Sequence, residues 1–294
     1  MDKNPAQAAR VPFCIMDRGE YIHILKIEKT ANGGFTVARP QVGIQLYSVR
    51  DRCERDFLGT IREMAEIGYK FVEFAGFYGA SVREVRGALD AAGIGAVSAH
   101  IGLNLRKGEP ADLAAVREHV RRQAAFAAEL GLKFFIVPGY PLPDEPTEDD
   151  VVRMAEVLDA AGEAVRAEGL AFGYHNHAFE FKKVGGKTVM DRLLELLPTL
   201  LAQFDLGWVK MGGQDPAEYV HRYAGRVPLV HAKDFKADGT DAELGQGVVD
   251  WDSALDACLA AGVEYVIVEQ EQYEVSSLES AKRNFAWFRE RGWI

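Results

Sequence analysis

From residue 41 onward the chain repeats one pattern. A short apolar run is followed by a longer stretch in which apolar positions recur every three or four residues. The first has the length and composition of a buried strand, the second the period of an amphipathic helix. The runs fall at 42–49, 70–75, 95–100, 133–137, the stretch from 171, 201–204, 229–232 and 265–269. The helical stretches fall at 54–67, 81–92, 111–130, 147–168, 188–196, 216–223, 253–261 and 277–289. Several are punctuated by glycine, at Gly68, Gly93, Gly131, Gly169 and Gly262, the residue that ends helices most readily. Ser81 with Glu84 reads as a capping box and Thr147 as an N-cap. Alternation of this kind requires parallel strands joined by crossover helices. Eight such units over this length predict a closed (β/α)8 barrel, a TIM barrel, as one domain over 41–294. No Gly-x-Gly-x-x-Gly follows the first strand, so a dinucleotide-binding sheet has no support.

Residues 1–40 do not share this pattern. Positions 21–27 alternate as a strand does, and Asn32-Gly33-Gly34 is a turn signal before Phe35-Thr36-Val37. They predict a short β-rich extension, a hairpin that could cover the barrel bottom or mediate contacts in a homo-oligomer. His23 reads as a surface strand residue. The segment lacks the basic start and long apolar stretch of a signal peptide.

Composition narrows the partners. The chain has 294 residues and a formal net charge of -10, with no basic block. Neither a nucleic acid nor an anionic membrane surface is an expected partner. No apolar run approaches the length of a membrane span. The three cysteines, Cys14, Cys53 and Cys258, have neither zinc spacing nor a disulfide framework, and the expected location is the reducing cytoplasm.

The chemistry collects at the C-terminal ends of the strands, where barrel enzymes carry their sites. In Ala171-Phe172-Gly173-Tyr174-His175-Asn176-His177, alternation puts Gly173, His175 and His177 on one face and Phe172 and Tyr174 on the other. Small residues inside and large ones outside suit a barrel strand with both histidines turned inward. The next three strands end at Asp205, at His231 with Lys233, and at Glu269 with Glu271. His175, Asp205, His231 and Glu269 therefore occupy matching positions on four consecutive strands. Two imidazoles and two carboxylates suit one borderline divalent ion, Mn²⁺, Zn²⁺, Co²⁺ or Fe²⁺, and also admit Mg²⁺. Gln45, Glu73, His100 and Trp208 lie at other strand ends as candidate substrate contacts, together with Glu271.

These residues carry a resemblance. Gln45-Leu46-Tyr47-Ser48-Val49-Arg50-Asp51, Tyr174-His175-Asn176-His177, His231-Ala232-Lys233-Asp234 and Gly245-Gln246-Gly247-Val248-Val249-Asp250-Trp251 are similar to the xylose isomerase-like sugar phosphate isomerases and epimerases. The likeness covers about residues 41–294. It implies a barrel with one divalent metal, held at strands six to eight by Asp205, His231 and Glu269. At strand five the sugar epimerases of that family have a glutamate, which serves as ligand and as one of two proton-transferring carboxylates. This chain has His175, which resembles the inosose dehydratase branch. The multi-metal site of the related endonucleases is not matched, and the acidic chain suits DNA poorly.

A divalent ion gripping adjacent oxygens of a hydroxy ketone acidifies the C–H between them through an enediolate. A base then removes the proton, and its fate decides among isomerisation, epimerisation and β-elimination. The candidate acid–base groups are His177, Glu180 and Lys233. The expected activity is that of a metal-dependent sugar isomerase or epimerase acting on a small carbohydrate. The alternatives are a dehydratase or keto-glycoside lyase working by β-elimination and, from another class, an inert carbohydrate-binding barrel. Because the symmetric glutamate pair is missing, elimination or aldose–ketose isomerisation is favoured over epimerisation.

Overall fold

The computed structural model describes residues 39–294 throughout and, before them, the backbone of 11–17, 21–29 and 35–37. Eight parallel strands close into a barrel: β1 (Gln41–Gln45), β2 (Phe71–Ala75), β3 (Gly95–His100), β4 (Phe134–Val137), β5 (Ala171–His175), β6 (Leu201–Asp205), β7 (Leu229–Ala232) and β8 (Tyr265–Val268). Each pairs with its neighbours in the chain, and β8 closes on β1 with Val268 opposite Ile44.

Helices follow the strands as the periodicity predicts, with two local differences. The first strand stops at Gln45, four residues early, because Leu46–Val49 turns into a 3₁₀ segment that leads into α1 (Arg50–Ile67). The second difference follows β6. There a short helix, Leu206–Met211, begins at once, with the Asp205 side chain accepting from the Trp208 N–H as its N-cap. The capping boxes at Ser81–Glu84 and Thr147–Asp150 both form.

Alternation divides the apolar residues between two cores. Inside the barrel Phe71, Val97, Phe134, Ile136, Leu229, Tyr265 and Ile267 fill the lower layers. Outside it Phe135, Tyr174, Phe204, Val230 and Val266 meet the helices. The small inward positions make room for large neighbours. A Cβ on Gly43 would lie 2.3 Å from the Phe71 ring, and one on Gly173 would lie 2.7 Å from Ile136 Cδ1. A register shift between Val72 and Glu73 leaves Val97 as an extra residue in β3. The shift brings Ser98 opposite Glu73 and His100 opposite Ala75.

Before the barrel, Val11–Asp17, Tyr21–Lys29 and Phe35–Val37 form an antiparallel sheet in chain order. Ile27 stands opposite Val37, and Val11 opposite the same Ile27 on its other side. The first of these strands was not anticipated from periodicity. The Asn32–Gly34 turn and the His23 side chain lie outside the described residues. No helix among the described residues is long and apolar enough to cross a membrane.

Candidate metal centre and active site

The upper layer of the barrel is polar. His175, Asp205, His231 and Glu269 come together there from β5 to β8, all buried, each with a ligand-competent atom within 4.8 Å of the others. The pairing register produces this, since Asp205 stands opposite His231 at the end of the β6–β7 ladder. His177 is one inward position further along and lies outside the cluster. Its ring meets His175 edge-on at 5.2 Å, with Trp208 at 5.7 Å.

Hydrogen bonding tests whether these residues fit a cation. His175 Nδ1 and Asp205 Oδ2 are buried without a partner in the protein. A buried carboxylate oxygen and an imidazole nitrogen left unpaired are costly unless something cationic or protonated meets them. The other Asp205 oxygen is held at 2.8 Å by the Trp208 N–H, so the free one is fixed in direction. His231 Nδ1 meets Glu269 and its Nε2 lies 2.5 Å from Glu73 Oε1. A histidine tied by one nitrogen to a carboxylate while the other faces the ligand position is the usual support of a metal-bound imidazole. The four residues thus fit one divalent ion.

The titration of the groups reflects the same crowding. Burial pushes Asp205 up to about 7, with Lys233 opposing and Glu269 adding to the shift. Burial and the neighbouring imidazoles hold His175 well below the usual histidine range. Burial alone would lower His231, but the carboxylates of Glu73 and Glu269 outweigh it and raise it to about 10. As an imidazolium, His231 supplies positive charge between two carboxylates, the service a divalent ion would provide.

Below the cluster lies a second polar layer, and it holds Glu73 and Gln45, two of the expected substrate contacts. Glu73 is completely buried. Its oxygens accept from Gln45 Nε2 at 2.8 Å, Ser98 Oγ at 2.5 Å, Gln203 Nε2 at 2.7 Å and His231. Burial would raise its pKa, but His100, His231 and Ser98 hold it down at about 2. Gln45 is equally sealed, with its Oε1 accepting from the Tyr47 N–H at 3.1 Å. Neither can meet a substrate without surrendering these bonds. Ser98 and Gln203 escaped the sequence reading. Each sits two positions before a candidate, one inward step deeper on the same strand. Gln203 Oε1 lies 2.6 Å from His100 Nε2, and the His100 ring stacks on His231 at 5.0 Å.

Glu180, expected among the acid–base groups, does not join the cluster. It is completely buried on the side of Tyr174, whose hydroxyl donates to Oε1 at 2.6 Å, while the His177 N–H donates to Oε2 at 2.8 Å. Burial pushes it up to about 8 against those two bonds. It anchors the backbone that carries His177. Lys233 has no exposed surface and donates to Glu271 at 2.6 Å, with Asp241 at 3.6 Å. Burial would lower it, but Glu269, Asp205 and Glu271 hold it charged. Trp208 packs on Phe235 at 4.4 Å beside Lys233.

Asp234, a neighbour in the same motif, does not pair with Lys233. It accepts from the N–H groups of Gly245 at 3.0 Å, Gly247 at 3.1 Å and Val249 at 3.2 Å, and from the Trp251 indole at 2.9 Å. A Cβ on Gly247 would lie 2.1 Å from Asp234 Oδ1. Gly247 therefore lets the loop wrap this carboxylate, while a Cβ on Gly245, at φ 78°, would lie 2.3 Å from the Trp287 indole nitrogen. The mouth above the metal cluster is a cavity of about 610 Å³, floored by His100, His175, His177, Glu269 and Glu271.

Comparison with known proteins agrees with this architecture. The family model of the xylose isomerase-like TIM barrel matches residues 61–291. The chain belongs to that family. Among the family's relatives, an inosose dehydratase of Geobacillus kaustophilus is 27% identical over 198 residues, 61% of this chain and 62% of that protein. The inosose dehydratase of Lacticaseibacillus casei is 25% identical over 257 residues, 74% of this chain and 83% of that protein. The chain thus spans less than two thirds of the first relative's length and more of the second's. Of solved barrels, a sugar phosphate isomerase/epimerase from Parabacteroides distasonis superposes with a TM-score of 0.76 at 23% identity, over 91% of this chain and all of the other. A D-allulose 3-epimerase from Methylomonas sp. superposes at 0.67 with 14% identity, over 86% of this chain and 98% of the other. At these identities the structural likeness speaks for the fold.

Proposed function

We propose that this chain is a divalent-metal-dependent enzyme of small carbohydrate chemistry that removes a proton next to a ketone, with loss of a β-hydroxyl as the favoured outcome. The observation that carries the reading is the buried cluster of His175, Asp205, His231 and Glu269, in which His175 Nδ1 and Asp205 Oδ2 have no protein partner. These four would hold the ion, and their mixed donors suit Mn²⁺, Fe²⁺, Co²⁺ or Zn²⁺. When bound, a divalent ion stabilises negative charge on the ketone oxygen as the adjacent proton leaves.

The chain's own residues supply the proton handling. His177 lines the cavity, and its Nδ1 has no protein partner. Burial lowers its pKa, so its imidazole is neutral near pH 7 and can accept the α-proton. The C–H electron pair then forms the C=C bond as the β C–O bond breaks, and the departing hydroxide takes up the proton that His177 accepted, leaving as water and returning the imidazole to its neutral form. Glu271, held by Lys233, faces the cavity where a substrate hydroxyl would bind. Elimination is favoured over epimerisation because β5 carries His175 where a two-base epimerase needs a carboxylate. The names of the inosose dehydratases it resembles point the same way. Isomerisation or epimerisation would use the same metal and the same first proton transfer.

The test is incubation of the metal-loaded protein with keto-inositols and ketohexoses in deuterated water. The expected result is a product lighter by one water, with deuterium entering recovered substrate beside the ketone. Epimers without dehydrated product would assign the chain to the epimerases. Metal and sugar binding with no C–H exchange would make it a binding barrel.

A further inference from the structure

Glu271 stands on the loop that follows β8, where no strand ladder sets its direction. Three side chains from other parts of the chain grip its three polar groups instead. Asp241 Oδ2 accepts from its N–H at 2.7 Å. Arg50 Nη2 donates to its carbonyl at 2.9 Å. Lys233 Nζ donates to its Oε1 at 2.6 Å. The Glu271 side chain is nevertheless 32% exposed, and the residue lines the cavity over the metal cluster. Its Oε2 has no hydrogen-bond partner among the described residues.

Asp241 is brought to this loop by the segment after β7. Beyond Lys233 the chain forms a two-stranded antiparallel ribbon, Asp234–Phe235 against Asp241–Ala242, with Phe235 opposite Asp241. The Asp234 carboxylate ties the first strand of the ribbon to the loop at 245–249. The second strand carries Asp241, which is buried and belongs neither to the metal cluster nor to the cavity lining. The same Oδ2 also accepts from the Gln272 N–H at 3.1 Å and lies 3.6 Å from Lys233 Nζ. Hydrogen bonds to a carboxylate are shorter and stronger than neutral ones. A buried carboxylate that takes two successive N–H groups therefore fixes the direction of the side chain between them.

We propose that Asp241 is a positioning residue for Glu271. It holds the Glu271 N–H while Lys233 holds Oε1, so that Oε2 is a prepared acceptor for a substrate hydroxyl before any ligand arrives. The inference rests on the function proposed above, in which Glu271 meets a substrate hydroxyl, and adds the residue that sets its geometry.

The experiment is calorimetric titration of the Mn²⁺-loaded proteins with a keto-inositol and with D-fructose, arranged as a double-substitution cycle. Glu271→Ala weakens binding by about tenfold or more, the scale of a hydrogen bond to a charged group. Asp241→Ala weakens it by about 3- to 10-fold, although Asp241 does not line the cavity. Asp241→Asn keeps an oxygen for both N–H groups and stays within about twofold of the wild-type protein. In the Glu271→Ala background, Asp241→Ala costs less than about twofold, because the group it positions is gone. A loss of the same size in both backgrounds, the mark of a purely structural role, would overturn the inference, as would wild-type affinity in Asp241→Ala. Should the doubly substituted protein not fold, monodeoxy keto-inositols complete the cycle from the ligand side. Removing the hydroxyl that meets Glu271 then weakens binding to the wild-type protein more than to Asp241→Ala, and an equal loss for every analogue would overturn the inference. Binding of neither sugar by the wild-type protein would overturn the proposed function and this inference with it.

Discussion

His231 Nε2 lies 2.5 Å from Glu73 Oε1, joining β7 to β2 across the interior of the barrel. The bond decides which nitrogen of His231 is free to face the cluster. Nε2–H is committed to Glu73, and Nδ1 is turned toward Glu269. Glu73→Gln keeps an oxygen for His231 and removes the charge that makes the imidazole a strong donor to a cation. The variant is expected to fold and to lose about 10- to 100-fold in metal affinity, the usual scale for such supporting carboxylates. Metal titration with circular dichroism in parallel checks it, and wild-type affinity would count against the support role.

Asp205 has two tasks that a pair of substitutions separates. One oxygen caps the Leu206–Met211 helix and the other is directed at the cluster. Asp205→Asn keeps an acceptor for the Trp208 N–H but removes the anionic ligand. It should leave thermal stability of the metal-free protein unchanged or higher, since burial already disfavours the charged carboxylate. Metal occupancy should fall sharply. Asp205→Ala should lose the metal and also about 1 kcal/mol of stability with the cap. Metal analysis of both proteins, with melting curves, distinguishes the two tasks.

Glu180 predicts a pH dependence of stability. Its folded pKa is raised to about 8 from 4.5 by burial. Between those values the folded state keeps a proton that the unfolded state has released. Stability from this group is therefore full below about pH 4.5 and is lost as pH rises through about 8. Glu180→Gln stays neutral and retains polar atoms for Tyr174 and the His177 N–H. Melting temperatures of the metal-free proteins from pH 5 to 9 should fall less steeply in the variant. Parallel curves for the two proteins would refute the assignment.

Asp234 predicts a structural loss without a change of ligands. Asp234→Ala strips the acceptor from four backbone N–H groups, those of Phe235, Gly245, Gly247 and Val249, and from the Trp251 indole at once. Orphaned buried donors cost about 1–3 kcal/mol each, so a loss of at least about 3 kcal/mol in urea unfolding is expected. Asp234→Asn, with one accepting oxygen, should fall between. A loss under about 1 kcal/mol for alanine would mean that the loop finds other acceptors.

The repeated strand and helix periods were enough to read the barrel, and strict alternation was enough to align His175, Asp205, His231 and Glu269. Both are local properties: a strand's inward face repeats every second residue wherever the strand lies. Depth along the barrel axis is different. Gln45, Glu73 and Gln203 have the same inward parity as the upper residues, yet they are sealed one layer below. Glu180 reads as an acid–base candidate because nothing in its neighbours in sequence reveals that Tyr174 and the His177 amide enclose it. Lys233 shares the inward face with His231, but its ammonium is consumed by Glu271 and Asp241, which come from later in the chain. The hydrophobic pattern fixes which side of a strand is buried. Which polar group has its bonds satisfied, and which is left to meet a ligand, depends on strand stagger and on donors that only closure of the barrel brings within about 3 Å.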